Sequence, residues 1–169
     1  GTFVARHDDA RIIFQFFKRT PDSGEREFPS SKVLGTEVSA AGAEAVKVLK
    51  LRAGSRVLQI ERIRSLAGKP VIAETITLPY APFAGAEKLE LPNNLYELYR
   101  SRFGVTIARS NEKLKAVAAK RREEKHLGVK AGTPLLSIDR TAYSLDGKPT
   151  EWRVSVCRTD IVHYLSDLK

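Results

Sequence analysis

Cysteine is almost absent from this 169-residue chain: Cys157 stands alone, so no internal disulfide can form and a reducing compartment is expected. Histidine is nearly as scarce. His7, His126 and His163 lie too far apart for ordinary zinc-ligand spacing, none has a partner placed for catalysis, and all three read as surface residues. No run of eighteen apolar residues exists and no charged-then-apolar leader opens the chain, so the expected setting is the cytoplasm, away from any membrane. A glycine-rich phosphate loop and a Ser-His-Asp-like local signature are missing as well. These gaps predict no cofactor, no metal and no catalytic group.

What the chain does hold is a normal supply of core-forming residues. A hydrophobic fraction of 42% with 29% charged residues is close enough to globular averages to exclude disorder, and the length suits one domain. The net charge of +9 raises the question of nucleic acid. Its basic residues are scattered, however, and the dense run Lys120-Arg121-Arg122 is followed at once by Glu123 and Glu124. A generally basic soluble protein is the simpler reading.

Periodicity and turn residues give the order of elements. Residues 12–18 and 33–38 read as strands separated by a Pro-, Ser- and Gly-rich loop over 19–31, and residues 40–49 fit a helix. Residues 56–66 and 71–78 are strands joined by a turn at Ala67-Gly68-Lys69-Pro70. A helix over 93–103 ends at Gly104, residues 105–118 fit a strand best, and 120–127 fit a short helix with Gly128 as its cap. A second hairpin, 135–145 and 150–158, turns at Asp146-Gly147-Lys148-Pro149. The two hairpins resemble each other: Ile60-Glu61-Arg62 and Ile138-Asp139-Arg140 each precede a Ser-Leu-x-Gly-Lys-Pro turn, with a one-residue slip. This strand-rich order with hairpin connections predicts an antiparallel α+β sheet.

Alternation along the first hairpin places charge where the core should be. Leu58, Ile60, Arg62 and Arg64 share one face, and Ile72, Glu74, Ile76 and Leu78 share the facing one. For both apolar faces to coincide, a regular hairpin needs an odd loop. Three loop residues would set Arg64 opposite Glu74; five would set Arg62 there. Either way one arginine is left over, and a guanidinium on a core-facing strand suits a carboxylate or phosphate ligand. The competing reading is an internal ion pair whose second arginine reaches solvent. In the second hairpin, alternation puts Trp152, Val154 and Val156 inside and Glu151, Arg153, Ser155 and Cys157 outside. Cys157 reads as a small core residue rather than a nucleophile. Asp160, two residues after Arg158, reads as a local ion pair.

These same residues carry a family likeness. Ile60-Glu61-Arg62-Ile63-Arg64, Ala67-Gly68-Lys69-Pro70, Glu74, Leu95-Tyr96, Phe103-Gly104, Leu127-Gly128-Val129, Pro134-Leu135-Leu136, Arg140, Asp146-Gly147-Lys148-Pro149, Glu151, Arg158 and Asp160 follow one another as in the UTRA domain. The chain thus resembles the effector-binding part of GntR-type regulators of the HutC subfamily. The resemblance implies a chorismate-lyase-like fold, an antiparallel β-sheet flanked by helices, and a homodimer. It implies that residues 1–9 are a linker remnant after a winged helix-turn-helix domain that would contact operator DNA, with residues 10–169 forming the effector domain. It implies a small, often anionic metabolite as ligand, contacted at Arg62, Arg64, Glu74 and Glu151, with further contacts near Phe17, Lys18, Asn94 and Tyr96. The family often has tyrosine where Cys157 stands and a basic-aromatic pair where Ile161 and Val162 stand, a departure that points away from a sugar-phosphate effector. Two other functions compete with the sensor: a chorismate pyruvate-lyase on the same fold, and direct nucleic-acid binding by this basic domain.

Overall fold

A computed structural model describes residues 19–22 and 28–168. The predicted strand over 12–18, with Phe17 and Lys18, lies outside the described residues. Within them the elements run β1 (Arg19–Pro21), β2 (Ser30–Ala40), α1 (Ala43–Val48), β3 (Arg56–Leu66), β4 (Lys69–Pro79), α2 (Leu95–Phe103), β5 (Ile107–Ala118), α3 (Arg121–Leu127), β6 (Pro134–Ser144), β7 (Pro149–Cys157) and β8 (Val162–Tyr164). Six strands form one sheet in the order β2-β3-β4-β7-β6-β5, every neighbouring pair antiparallel, as the hairpin-rich sequence predicts. The two hairpins lie back to back, β4 against β7. Two strands escaped the sequence reading, because β1 and β8 have three residues each; they pair as a separate ribbon.

The register of the first hairpin satisfies the odd-loop requirement by another route. Its turn has two residues, Ala67 and Gly68, with φ of 50° and 78°, the positive angles that a tight β-hairpin connection demands. Left alone, that turn would put the two apolar faces out of phase. A register shift repairs this: Ser65 pairs with Pro70 but Arg64 pairs with Ile72, so Val71 is the extra residue of a bulge. Beyond it Arg62 stands opposite Glu74, Ile60 opposite Ile76 and Leu58 opposite Leu78. The pairing expected from a five-residue loop is realised, and the alternative with Arg64 opposite Glu74 is not.

The sheet has a front and a back. On the front, Leu58, Ile60, Ile76 and Leu78 bury themselves against Leu95, Leu98 and Tyr99 of α2 and against Phe83. Asn94 starts α2 by accepting a hydrogen bond from the Glu97 amide at 3.3 Å, and Gly104, at φ 65°, ends it in the left-handed region that favours glycine. At the other end of the front face Ile72, Ile138 and Cys157 pack with Val162 of β8. On the back, α3 covers Ile63 and Ala73 with Leu127. Trp152, Val154 and Val156 also face the back, where they are only half-buried, so the expectation that they form the core is corrected. Glu151, Arg153, Ser155 and Cys157 take the buried front positions instead.

Candidate functional site: a belt of buried charge

Between the two apolar ends of the front face runs a belt of charged residues supplied by five adjacent strands. Register builds it. Arg62, Glu74 and Ser155 stand side by side on β3, β4 and β7. One row further toward α2, Arg153, Arg140 and Glu112 stand side by side on β7, β6 and β5. Arg62, Arg64, Glu74, Arg140, Glu151 and Arg153 are all buried. Charge so far from water persists only where partners replace hydration.

Glu74, with no exposed surface, sits at the centre. It accepts from Arg62 Nε in a short charged contact and from Ser155 Oγ at 3.2 Å, with Arg153 NH1 at 4.0 Å. Burial alone would raise its pKa, but the guanidinium groups of Arg62, Arg153 and Arg64 together outweigh that, holding the carboxyl far below the ordinary glutamate range. Arg62 also donates to the Asn93 carbonyl at 3.1 Å. Arg64 donates to Ser31 Oγ and to Asn93 Oδ1, each at 3.2 Å.

Glu151 anchors the second half of the belt. Arg153 meets it through two parallel bonds of 2.8 and 2.9 Å, Tyr99 donates its hydroxyl at 2.6 Å, and Tyr96 donates at 3.3 Å. Burial and then the Glu151 charge raise the pKa values of both tyrosines, so they remain neutral donors. Arg140 donates to Glu112 at 2.9 and 2.7 Å and to the Tyr96 hydroxyl at 3.2 Å. Burial opposes the charged form of Arg140 and Arg153, yet their acidic and phenolic neighbours prevail and both pKa values are raised. The belt therefore brings together four guanidinium groups and three carboxylates.

Most of the predicted site residues meet in this belt. Arg62, Arg64, Glu74, Glu151 and Tyr96 do so; Asn94 does not, because its side chain is spent capping α2. The neighbouring Asn93 takes the place at the belt, touching both Arg62 and Arg64. Alternation had put Glu151 on the solvent side, and that expectation is corrected: its charge is buried among arginines and tyrosines. Arg140 and Arg153 belong to the belt without having been singled out as site residues. The signal for Arg140 was present in the likeness of its surroundings to those of Arg62. Elsewhere, a half-open cleft of about 810 Å³ lies between the end of α1, Pro79 to Pro82 and the β6–β7 turn, and it contains none of the predicted residues. The Arg158–Asp160 pair forms on the surface at 2.7 Å. Among the described residues no group of three metal-ligating side chains occurs, and no helix is long and apolar enough to cross a membrane.

Fold and belt together define a class: an antiparallel α+β domain that fixes guanidinium groups on one covered sheet face. The chain belongs to the UTRA domain family, whose profile matches residues 25–163. It is 26% identical over 172 residues to the transcriptional repressor NagR of Bacillus subtilis, covering 99% of this chain and 71% of that protein. It is 33% identical over 114 residues to the repressor PhnF of Mycolicibacterium smegmatis, covering 67% of this chain and 46% of that protein. The ligand-binding domain of a GntR-family regulator from Bordetella bronchiseptica superposes with a TM-score of 0.83 at 35% identity, covering 91% of this chain and 98% of that one. The effector domain of PhnF superposes with a TM-score of 0.73 at 29% identity, covering 78% of this chain and 82% of that one. These relatives are regulators, and they lend the lyase alternative no support.

Proposed function

We propose that this domain is the sensor of a bacterial transcriptional regulator: it binds a small anionic metabolite at the charged belt and thereby alters operator binding by an attached winged helix-turn-helix domain. The observation that carries the reading is the composition of the belt, where guanidinium groups outnumber carboxylates among the described residues of a buried face. A planar bidentate donor set of this kind matches a carboxylate or a phosphate. The Ser155 hydroxyl does meet a carboxylate, Glu74, but the depressed pKa of that carboxyl makes it a weak base, which favours binding over catalysis. Because a ligand shifts a conformational equilibrium only through differential affinity, the anion must contact the belt differently in the DNA-competent and DNA-incompetent forms. A homodimer fits the symmetry of operator sites.

A thermal-shift screen of anionic metabolites, followed by calorimetric titration of the hits, tests the reading. A ligand at one hundred times its Kd should stabilise the native state by about 2.7 kcal/mol. The effect should vanish in Arg64→Ala and should not be reproduced by neutral isosteres. Equal stabilisation by charged and neutral analogues would overturn it. Release of pyruvate from added chorismate would restore the enzyme alternative.

A further inference from the structure

The belt does not end at Arg140. Glu112 lies directly opposite Arg140 on the edge strand β5, and its two oxygens have different partners. Oε1 accepts both Arg140 bonds, whereas Oε2 accepts the Tyr164 hydroxyl at 2.6 Å. Tyr164 is the last residue of β8, whose strand partner is β1. The ribbon is extended by the Asp22 amide, which donates to the Ile161 carbonyl at 2.9 Å, and by a 2.8 Å contact between Asp22 and His163. Val162 and Tyr164 are thus its footholds on the sheet, one apolar and one polar. Through this pairing the ribbon joins Arg19–Pro21 to Val162–Tyr164.

We infer that Glu112 and Tyr164 couple occupancy of the belt to the position of the β1–β8 ribbon. The inference rests on the anion-binding reading above. An incoming carboxylate or phosphate and Glu112 compete for the same edge of Arg140. The Glu112 side chain is only 11% exposed. A carboxylate so placed becomes costly once it loses its guanidinium and gains an anionic neighbour, and turning toward water relieves that cost. The turn withdraws the acceptor from Tyr164. The ribbon then keeps its three-residue pairing and Val162 but loses the Tyr164–Glu112 bond.

Hydrogen exchange on the whole chain tests this without any ligand. Tyr164→Phe should speed exchange of the Asp22 amide roughly tenfold, while the β3–β4 amides stay at their wild-type rates. Arg140→Gln, which leaves Glu112 without its guanidinium as an anion would, should do the same. In the Tyr164→Phe background, Arg140→Gln should add little, because both act through one contact. Unchanged Asp22 exchange in Tyr164→Phe overturns the coupling, as does equal acceleration of all amides. Additive effects in the double variant would show that Arg140 reaches the ribbon by another route and would overturn the role of Tyr164. Should Arg140→Gln fail to fold, Glu112→Ala, which removes the acceptor of Tyr164 outright, takes its place with the same expectations. A negative result here leaves anion binding untouched, since that reading stands or falls on the titrations.

Discussion

Replacing Glu74 by glutamine removes one negative charge and almost no volume from the centre of the belt. Arg62, buried to 1% exposure, then faces a neutral amide, and Arg153 and Arg64 lose part of their compensation. Breaking a buried pair by removing one partner costs about 3–5 kcal/mol, because the surviving charge stays out of water. For a domain of this size each kcal/mol lowers Tm by roughly 2–4 °C, so a fall of about 6–20 °C is expected. The loss should shrink in acid, and the sign follows from the direction of the shift. A glutamate whose folded pKa is depressed contributes its full stability above the unfolded pKa and loses it as pH falls toward the folded value. Wild type should therefore lose its advantage over Glu74→Gln progressively below the ordinary glutamate range. Calorimetric melting from neutral pH to pH 3 measures both effects. Added phosphate or sulfate should recover more stability in the variant than in wild type, since the belt now has a larger positive excess. A fall in Tm below 2 °C at neutral pH, with identical responses to anions, would refute the electrostatic account.

Three further outcomes are expected. Arg62→Ala should destabilise the fold by about 3–5 kcal/mol and Arg64→Ala by about 1–3, because Arg62 neutralises Glu74 whereas the bonds described for Arg64 are to Ser31 and Asn93; urea unfolding of the two variants checks the order, and a reversed order would count against it. Tyr99→Phe removes the 2.6 Å bond to Glu151 and should cost about 1.5–3 kcal/mol, seen as a lower urea midpoint with an unchanged m-value. Gly104→Ala forces a side chain into the left-handed end of α2 at φ 65° and should cost about 1–2 kcal/mol, with no change in ligand affinity.

Much of this site could be read in the sequence, for a reason that also explains where the reading stopped. On β3 and β4 the charged residues alternate in phase with Leu58, Ile60, Ile76 and Leu78, so ordinary periodicity drew them inside. On β7 the alternation reverses its usual meaning. Glu151 and Arg153 occupy the buried face and Trp152 and Val154 the half-exposed one, because the two charges pair with each other along the strand and with Tyr96, Tyr99 and Glu74 from other elements. The i,i+2 spacing contains the first of these pairings, but no one-dimensional pattern contains the others. Asn94 and Asn93 differ by one position; the spacing to Glu97 marks Asn94 as a cap, a signal that was present and passed over. The register of the first hairpin could not be settled from the turn alone, since the bulge at Val71 carries no distinctive residue type. Ser31, Glu112 and Tyr164 come from three separate elements, and only the folded sheet and the short ribbon bring them to the belt.

Trp152 is the sole tryptophan of the chain. Its indole lies half-buried on the back of β7, held by a 2.8 Å bond to Asp139, while the residues on either side of it, Glu151 and Arg153, point to the front. The strand therefore carries an intrinsic fluorophore one residue from two members of the belt, facing away from them. A molecule settling on the front face cannot touch or quench that ring directly. A change in its emission on adding a ligand then comes through the sheet, by way of the β7 backbone, Asp139 or the facing Thr77 and Thr141, so the indole reports movement of the sheet without being blurred by contact with what moved it.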